Sequence, residues 1–179
     1  MSACSTQNGS ILPTSSTTGN AASHAQLERD ARVALNTLYK SVPNARSLGS
    51  RANAILVFPD MLKAGLLVGG ASGNGVLFSR DGQVLGYYNS SSLSYGLQAG
   101  AQSFAEALFL MTPAAQTYLD SSDGWSIGSG PSVVVANSGA AEDYSSTTLR
   151  SDVYAMIFAQ AGLMAGIGVQ GQKITKLSP

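Results

Sequence analysis

Residues 28–63 contain six basic side chains and three acidic ones. Guanidinium and ammonium groups bind phosphates, and each one near an anionic membrane surface contributes about 1 kcal/mol to binding. If the six groups share one face of the fold, they predict recognition of anionic lipid headgroups; the alternative is that they only keep this region solvated. The six residues are Arg29, Arg32, Lys40, Arg46, Arg51 and Lys63.

The single cysteine, Cys4, follows Met1-Ser2-Ala3 and precedes an uncharged stretch rich in Ser, Thr, Asn and Gly. Small residues before a cysteine are similar to the end of a bacterial lipoprotein signal peptide, in which the cysteine is acylated. The alternative is an incidental thiol in a polar tail. Residues 5–22 hold too little apolar surface to offset their ordering entropy. We therefore expect a lipid anchor at Cys4, a flexible tether to residue 22, and one globular domain over residues 23–179.

A serine motif is the one pattern that suggests catalysis. Gly124-Trp125-Ser126-Ile127-Gly128 fits the GxSxG nucleophile elbow, which needs a strand before the serine, a helix after it and a histidine later in the chain. Here glycines and a predicted strand follow, and the only histidine, His24, lies far upstream. One cysteine and one histidine also exclude a thiolate zinc cluster. We expect no catalytic residue, no metal site and no cofactor.

The overall composition excludes one functional class and indicates the number of domains. The formal net charge is +0 and charged residues make up 11% of the chain, against about 25% in an ordinary domain. Electrostatic capture of nucleic acid by the whole molecule is therefore excluded. A hydrophobic fraction of 44% over 179 residues is enough for one domain with one sizeable core.

The first predicted element is an amphipathic helix from Ser23 to Val42. Ser23 and Gln26 have the spacing of a capping box, and apolar residues recur at helical period until Pro43. The helix either covers a sheet or lies on a membrane surface. A short helix is predicted from Asn44 to Arg51, and another begins at Pro113.

Most of the remaining chain has the two-residue alternation of β-strands. Strands are predicted over 54–58, 65–72, 75–79, 83–88, 92–102, 104–111 and 132–136, followed by an antiparallel hairpin over 153–169. The glycines at 69, 70, 73 and 75 indicate a tight turn and bulge between two strands. The predicted class is α+β: a strongly curved, mainly antiparallel sheet, open or partly closed as a barrel, packed with a few helices.

Several of these segments, in this order, resemble the SYLF domain family of eukaryotic membrane-trafficking proteins and bacterial envelope proteins. The resemblance begins at Ile55 to Pro59 before Lys63-Ala64-Gly65 and continues through the glycine cluster ahead of Arg80-Asp81-Gly82. It also includes the segment from Tyr95 to Gln102 and the block from Gly162 to Gly166. With the preceding helix it covers about 150 residues.

The resemblance implies a compact α+β domain without enzymatic activity. Eukaryotic members bind phosphoinositides and bundle actin, whereas bacterial members are lipoprotein-like. The lipid-binding helix of the family corresponds here to residues 26–40, with Arg29, Arg32 and Lys40. Phe158-Ala159-Gln160-Ala161 replaces the basic and serine residues that the family commonly has.

Two functions follow from these observations. The first is a non-enzymatic domain of a bacterial envelope lipoprotein, anchored in the outer membrane and facing the periplasm or the surface, that binds anionic phospholipid. The alternative is a structural or interaction domain that binds another envelope protein and has no lipid site beyond Cys4. Actin is not expected as a partner, and neither is nucleic acid.

Overall fold

The computed structural model describes residues 16–65, 68–95, 100–121, 124–136, 151–159, 162–164, 169 and 171–178. These ranges form three helices and one sheet of nine strands. The helices are α1 (Ser16–Ser41), α2 (Pro43–Arg51) and α3 (Pro113–Leu119). The strands are β1 (Ala54–Gly65), β2 (Val68–Ser79), β3 (Val84–Tyr95), β4 (Gly100–Leu110), β5 (Trp125–Ser126), β6 (Val133–Ala136), β7 (Val153–Ala159), β8 (Gly162–Leu163) and β9 (Lys173–Lys176). Cys4 and residues 1–15 lie outside the described part.

The strands follow the order β5-β9-β3-β2-β1-β4-β7-β6, with β8 added beside β7. Every neighbouring pair is antiparallel except β6 and β7, which are parallel. The sheet curls strongly into a half-barrel. This architecture confirms the predicted α+β class with a curved, mainly antiparallel sheet.

The glycine cluster has a different role from the predicted one. It lies inside the continuous strand β2, not at a turn. A β-carbon at Gly73 would stand 2.5 Å from the carbonyl oxygen of Asp60, and one at Gly75 would stand 2.5 Å from Cδ1 of Phe58. Only glycine permits this approach, so the cluster lets β2 pack closely against β1 where the sheet bends.

Strand β1 also continues beyond its predicted end at Pro59. Its register against β4 shifts between Phe58 and Met61, which marks a bulge. At a bulge one residue leaves the hydrogen-bonding ladder, so a proline without an N–H group is tolerated there.

Two cores lie on the two faces of the sheet. The concave core is formed by inward residues of β1, β2, β4 and β7 with α3 and the buried Trp125. The convex core is formed by the opposite faces of the same strands packed against α1 and α2. Alternation along each strand divides its apolar residues between the two cores.

Helix α1 lies on the convex face. It begins at Ser16 and so includes residues 16–22, which the sequence predicted to belong to the tether. Ala31 and Leu38 are fully buried against the sheet. The apolar face is therefore used in packing, and the alternative of a helix lying on a membrane through that face is wrong. Among the described helices, none is long and apolar enough to cross a membrane.

The other elements agree with the prediction to different degrees. Helix α2 and strand β6 occur close to the predicted places, and α3 begins with Thr112 accepting a hydrogen bond from the Ala115 amide, as a helix cap does. The predicted C-terminal hairpin is present as β7 and β8, although residues 165–168 lie outside the described ranges. The short strands β5 and β9 were not predicted.

A buried polar bridge crosses the concave face. The amide nitrogen Nε2 of Gln172 donates to Oγ of Ser90 on β3 at 2.5 Å and to Oε2 of Glu106 on β4 at 3.1 Å. In a flat sheet these strands would be about 14 Å apart, because β2 and β1 lie between them. One amide group reaches both only because the sheet is curled. We call Ser90, Gln172 and Glu106 the polar clasp.

Glu106 is the unusual member of the clasp. It is 2% exposed, and within the described part of the chain its Oε1 has no hydrogen-bond partner. Burial raises the pKa of this carboxyl from 4.5 to about 7, although the hydrogen bond from Gln172 opposes the shift. The uncharged carboxyl is the form that the apolar surroundings favour.

This shift predicts a loss of stability as pH rises. Below pH 4.5 Glu106 is protonated in the folded and unfolded chain alike. Between pH 4.5 and about 7 only the unfolded chain releases the proton, so the free energy of unfolding falls, by about 3 kcal/mol in total. Urea unfolding at a series of pH values should show this fall in the wild-type protein and not in Glu106→Gln.

Asp81→Asn is the matched control, since it removes an exposed carboxylate in the turn between β2 and β3. It should keep the wild-type pH dependence. A Glu106→Gln variant with the same pH dependence as the wild type would contradict the assignment.

The packing of α1 can be tested on the helix itself. Leu38→Ala removes a side chain that is fully buried against the sheet, so it should lower the free energy of unfolding by about 3 kcal/mol. Val33→Ala is the control on the same helix, because Val33 is 64% exposed, and its effect should be below about 1 kcal/mol. Equal effects in urea unfolding would show that α1 does not pack as described.

Candidate functional site

Three arginines line one cavity on the convex side of the sheet. The cavity has a volume of about 370 Å³ and lies between α1, α2 and the turn that joins β2 to β3. Its arginines are Arg32 from α1, Arg46 from α2 and Arg80 from the turn. No aspartate or glutamate is among the described residues that line it. We call this feature the arginine cavity.

Arg32 lies where α1 passes the turn. Its Nη2 donates to the carbonyl oxygen of Gly82 at 3.0 Å, and its guanidinium carbon stands 4.7 Å from the centre of the Phe78 ring. A cation over an aromatic face is attracted by the ring quadrupole. These two contacts hold the guanidinium at the cavity wall, and they leave further N–H groups free of an ion pair among the described residues.

Arg46 stands on α2 beside Tyr39 of α1. Its guanidinium carbon is 5.3 Å from the centre of the Tyr39 ring. Burial raises the pKa of the Tyr39 hydroxyl above its usual 10.0, and the positive charge of Arg46 lowers it in part. Tyr39 is therefore a neutral hydroxyl at neutral pH, able to donate a hydrogen bond into the cavity.

Arg80, from the turn between β2 and β3, lines the third side of the arginine cavity. Its Nε donates to the carbonyl oxygen of Ala52 at 3.2 Å and its Nη2 to that of Arg51 at 3.3 Å. These carbonyls end α2, where a cation satisfies unpaired acceptors and interacts favourably with the helix dipole. In the sequence Arg80 is recognisable only as part of a hairpin turn, so it was not predicted as a site residue.

The cavity concentrates positive charge, and its three arginines form no ion pair among the described residues. Within the described ranges the one ion pair joins Lys176 to Asp120 at 3.4 Å, on another part of the surface. Three guanidinium groups that face one space, with no carboxylate among them, favour an anion that accepts several hydrogen bonds at once. Phosphate and carboxylate groups have this chemistry.

The six predicted lipid-binding residues are only partly brought together. Arg32 and Arg46 line the cavity. Arg51 stands next to it through its backbone carbonyl, while its side chain is exposed at the end of α2. Arg29 is exposed and donates to Gln26 at 2.7 Å, and Lys40 is exposed near the end of α1.

Lys63 is the most distant of the six. It lies on β1 eight residues beyond Ile55, which lines the arginine cavity. Eight residues of extended strand span roughly 26 Å. Lys63 therefore cannot contact an ion that the three arginines hold.

The serine motif does not form a nucleophile elbow. Ser126 is an exposed residue of the short strand β5, which pairs with β9, and turns follow it in place of a helix. His24 lies on α1, where its ring stacks on Tyr87 with 4.0 Å between the ring centres. Serine and histidine are thus held by different elements and face different neighbours.

The comparison with protein families agrees with the resemblance seen in the sequence. Residues 91–178 match the Ysc84 family, described as Las17-binding protein actin regulator. No curated protein matches the chain. The matched range contains Glu106 and Gln172 of the polar clasp and lies C-terminal to all three arginines of the cavity. Over residues 91–178 the chain therefore matches the Ysc84 family, which is the SYLF domain family that its sequence resembles.

Proposed function

We propose that the protein is a non-enzymatic, membrane-associated domain that binds the headgroups of anionic phospholipids in the arginine cavity. The observation that supports this most directly is the convergence of Arg32, Arg46 and Arg80 on one cavity, with no carboxylate among the described residues that line it. A lipid phosphate offers the several acceptor oxygens that three guanidinium groups require. The family, whose bacterial members are lipoprotein-like, is in keeping with such a role.

The packing of α1 determines how the domain would bind. Because the apolar face of α1 is buried against the sheet, that face is not available to insert among acyl chains. Contact is instead made by polar groups at the level of the headgroups. Binding is therefore mainly electrostatic and weakens with salt.

Acylation at Cys4 remains part of the proposal, and it places the domain at the outer membrane of a bacterial envelope, facing the periplasm or the surface. Two or more acyl chains on such a cysteine anchor a protein stably. The arginine cavity adds a separate contact, with the lipid headgroups. The alternative of a domain that binds only another envelope protein predicts no lipid affinity beyond the anchor.

Vesicle co-sedimentation tests the proposal. The full chain with Cys4→Ser, which cannot be acylated, should bind vesicles that contain anionic phospholipid at low salt, and it should not bind neutral vesicles. Arg32→Gln/Arg46→Gln removes two of the cationic groups, each of which contributes about 1 kcal/mol near a membrane surface. The double variant should bind roughly 30-fold more weakly.

Arg29→Gln/Lys40→Gln is the matched control, because it removes the same net charge from exposed positions of α1 outside the cavity. It should weaken binding less than about threefold if the cavity is the site. Equal losses of affinity in the two double variants would show that lipid binds to a diffuse basic surface and not to the cavity. No binding to any vesicle would reject lipid recognition and favour the protein-interaction alternative.

A further inference from the structure

The two flanks of α1 carry opposite charge. Arg32, Asn36 and Tyr39 face the arginine cavity. Asp30, Val33 and Thr37 line a second cavity on the other side of the helix. An α-helix with its side chains is about 10 Å across, so α1 separates a basic surface from an acidic one.

The second cavity is an apolar groove of about 420 Å³. Its lining includes Ala34 of α1, Pro59 at the bulge of β1, Phe104 and Ala105 of β4, and Phe158 of β7. Val33 stands at the rim and is 64% exposed, which is high for a valine in a helix that packs on a sheet. The volume is within the range of pockets that hold small ligands or a few side chains.

Two carboxylates stand on this groove, Asp30 on α1 and Asp60 on β1, and none of the described residues that line it is basic. Oδ1 of Asp30 accepts a hydrogen bond from Nε2 of Gln26 at 2.8 Å, which is a neutral partner. Neither aspartate forms an ion pair within the described part of the chain. Both carboxylates thus stand beside apolar surface without a directly paired cation in that part of the chain. We call this feature the acidic groove.

We propose that the acidic groove docks a segment of a partner protein in which apolar side chains are flanked by lysine or arginine. Apolar side chains of the segment would cover Val33 and the floor of the groove, and its cations would meet Asp30 and Asp60. Helix-in-groove recognition combines these two features. Charge complementarity at the rim sets the orientation and suppresses other partners.

The two carboxylates also make anionic lipid an unfavourable ligand for the acidic groove. A phosphate headgroup brought to this groove would be repelled by Asp30 and Asp60, whereas on the opposite flank of α1 it meets three arginines. The two surfaces therefore favour different ligands: anionic lipid in the arginine cavity and a basic protein segment in the acidic groove. A domain held to anionic lipid through the arginine cavity keeps the acidic groove open to a basic protein segment.

Fluorescence anisotropy with a short labelled peptide tests the proposal. The probe is an amphipathic peptide of leucine and lysine at helical spacing, titrated with the full chain carrying Cys4→Ser. It should bind, and binding should weaken at high ionic strength. Asp60→Asn should weaken it about threefold and Asp30→Asn/Asp60→Asn about tenfold, the size expected for one and two partly exposed ion pairs.

Asp81→Asn is the matched control, since it also removes one exposed carboxylate and lies in the turn beside the arginine cavity. It should bind the peptide as the wild type does. A peptide with glutamate in place of lysine should not bind. The Asp30→Asn/Asp60→Asn variant should retain its affinity for anionic vesicles, which shows that it is folded and that the two surfaces act separately.

Three results would overturn the proposal. One is no binding of the leucine-lysine peptide, and another is an equal loss in Asp60→Asn and Asp81→Asn. The third is self-association of the wild-type chain in sedimentation that Asp30→Asn/Asp60→Asn abolishes, because it would assign the groove to a second copy of the protein.

Discussion

The curl of the sheet brings together a contact that a flat sheet could not make, and this contact stabilises the curled form. Gln172 binds side chains of β3 and β4 at the same time, although two strands lie between them. The glycines of β2 make the bend sterically possible, because β-carbons at Gly73 and Gly75 would collide with β1. The polar clasp then links β3 to β4 across the concave face of the half-barrel. Its burial has a cost that appears in Glu106, because desolvation raises the pKa of that carboxyl to about 7.

The curl in turn determines what lies on the convex side. The bent sheet has one convex face, and α1 packs along it with Ala31 and Leu38 buried. Because the sheet curves away from the helix, a cavity lies on each side of α1. On one flank α2 and the turn after β2 add two arginines to the one on α1, and on the other the bulge of β1 adds Asp60 to Asp30. The separation of charge across α1 thus follows from the packing.

The prediction from sequence succeeded where local pattern determines structure. Thr112 and Pro113 begin α3 as expected, because a cap and a first-turn proline act over a few residues. It failed where the outcome depends on a neighbour in space. Pro59 does not end β1, and the glycine cluster is not a turn, since a bulge and a close approach of two strands accommodate them. Glu106 gave no signal either, because an isolated acidic residue between apolar ones does not reveal which partner will bury it.

The amino-acid sequence by itself determined the resemblance to the SYLF family, the α+β class and the basic character of the N-terminal third, since these follow from ordered motifs, periodicity and composition. Only the tertiary structure decided which charges act together. It joined Arg80 to Arg32 and Arg46 and left Lys63 at the far end of β1. The tertiary structure also buries the apolar face of α1 in the core. The physical reason is that a site is formed by distances between residues far apart in the chain, and those distances are determined by how the sheet bends.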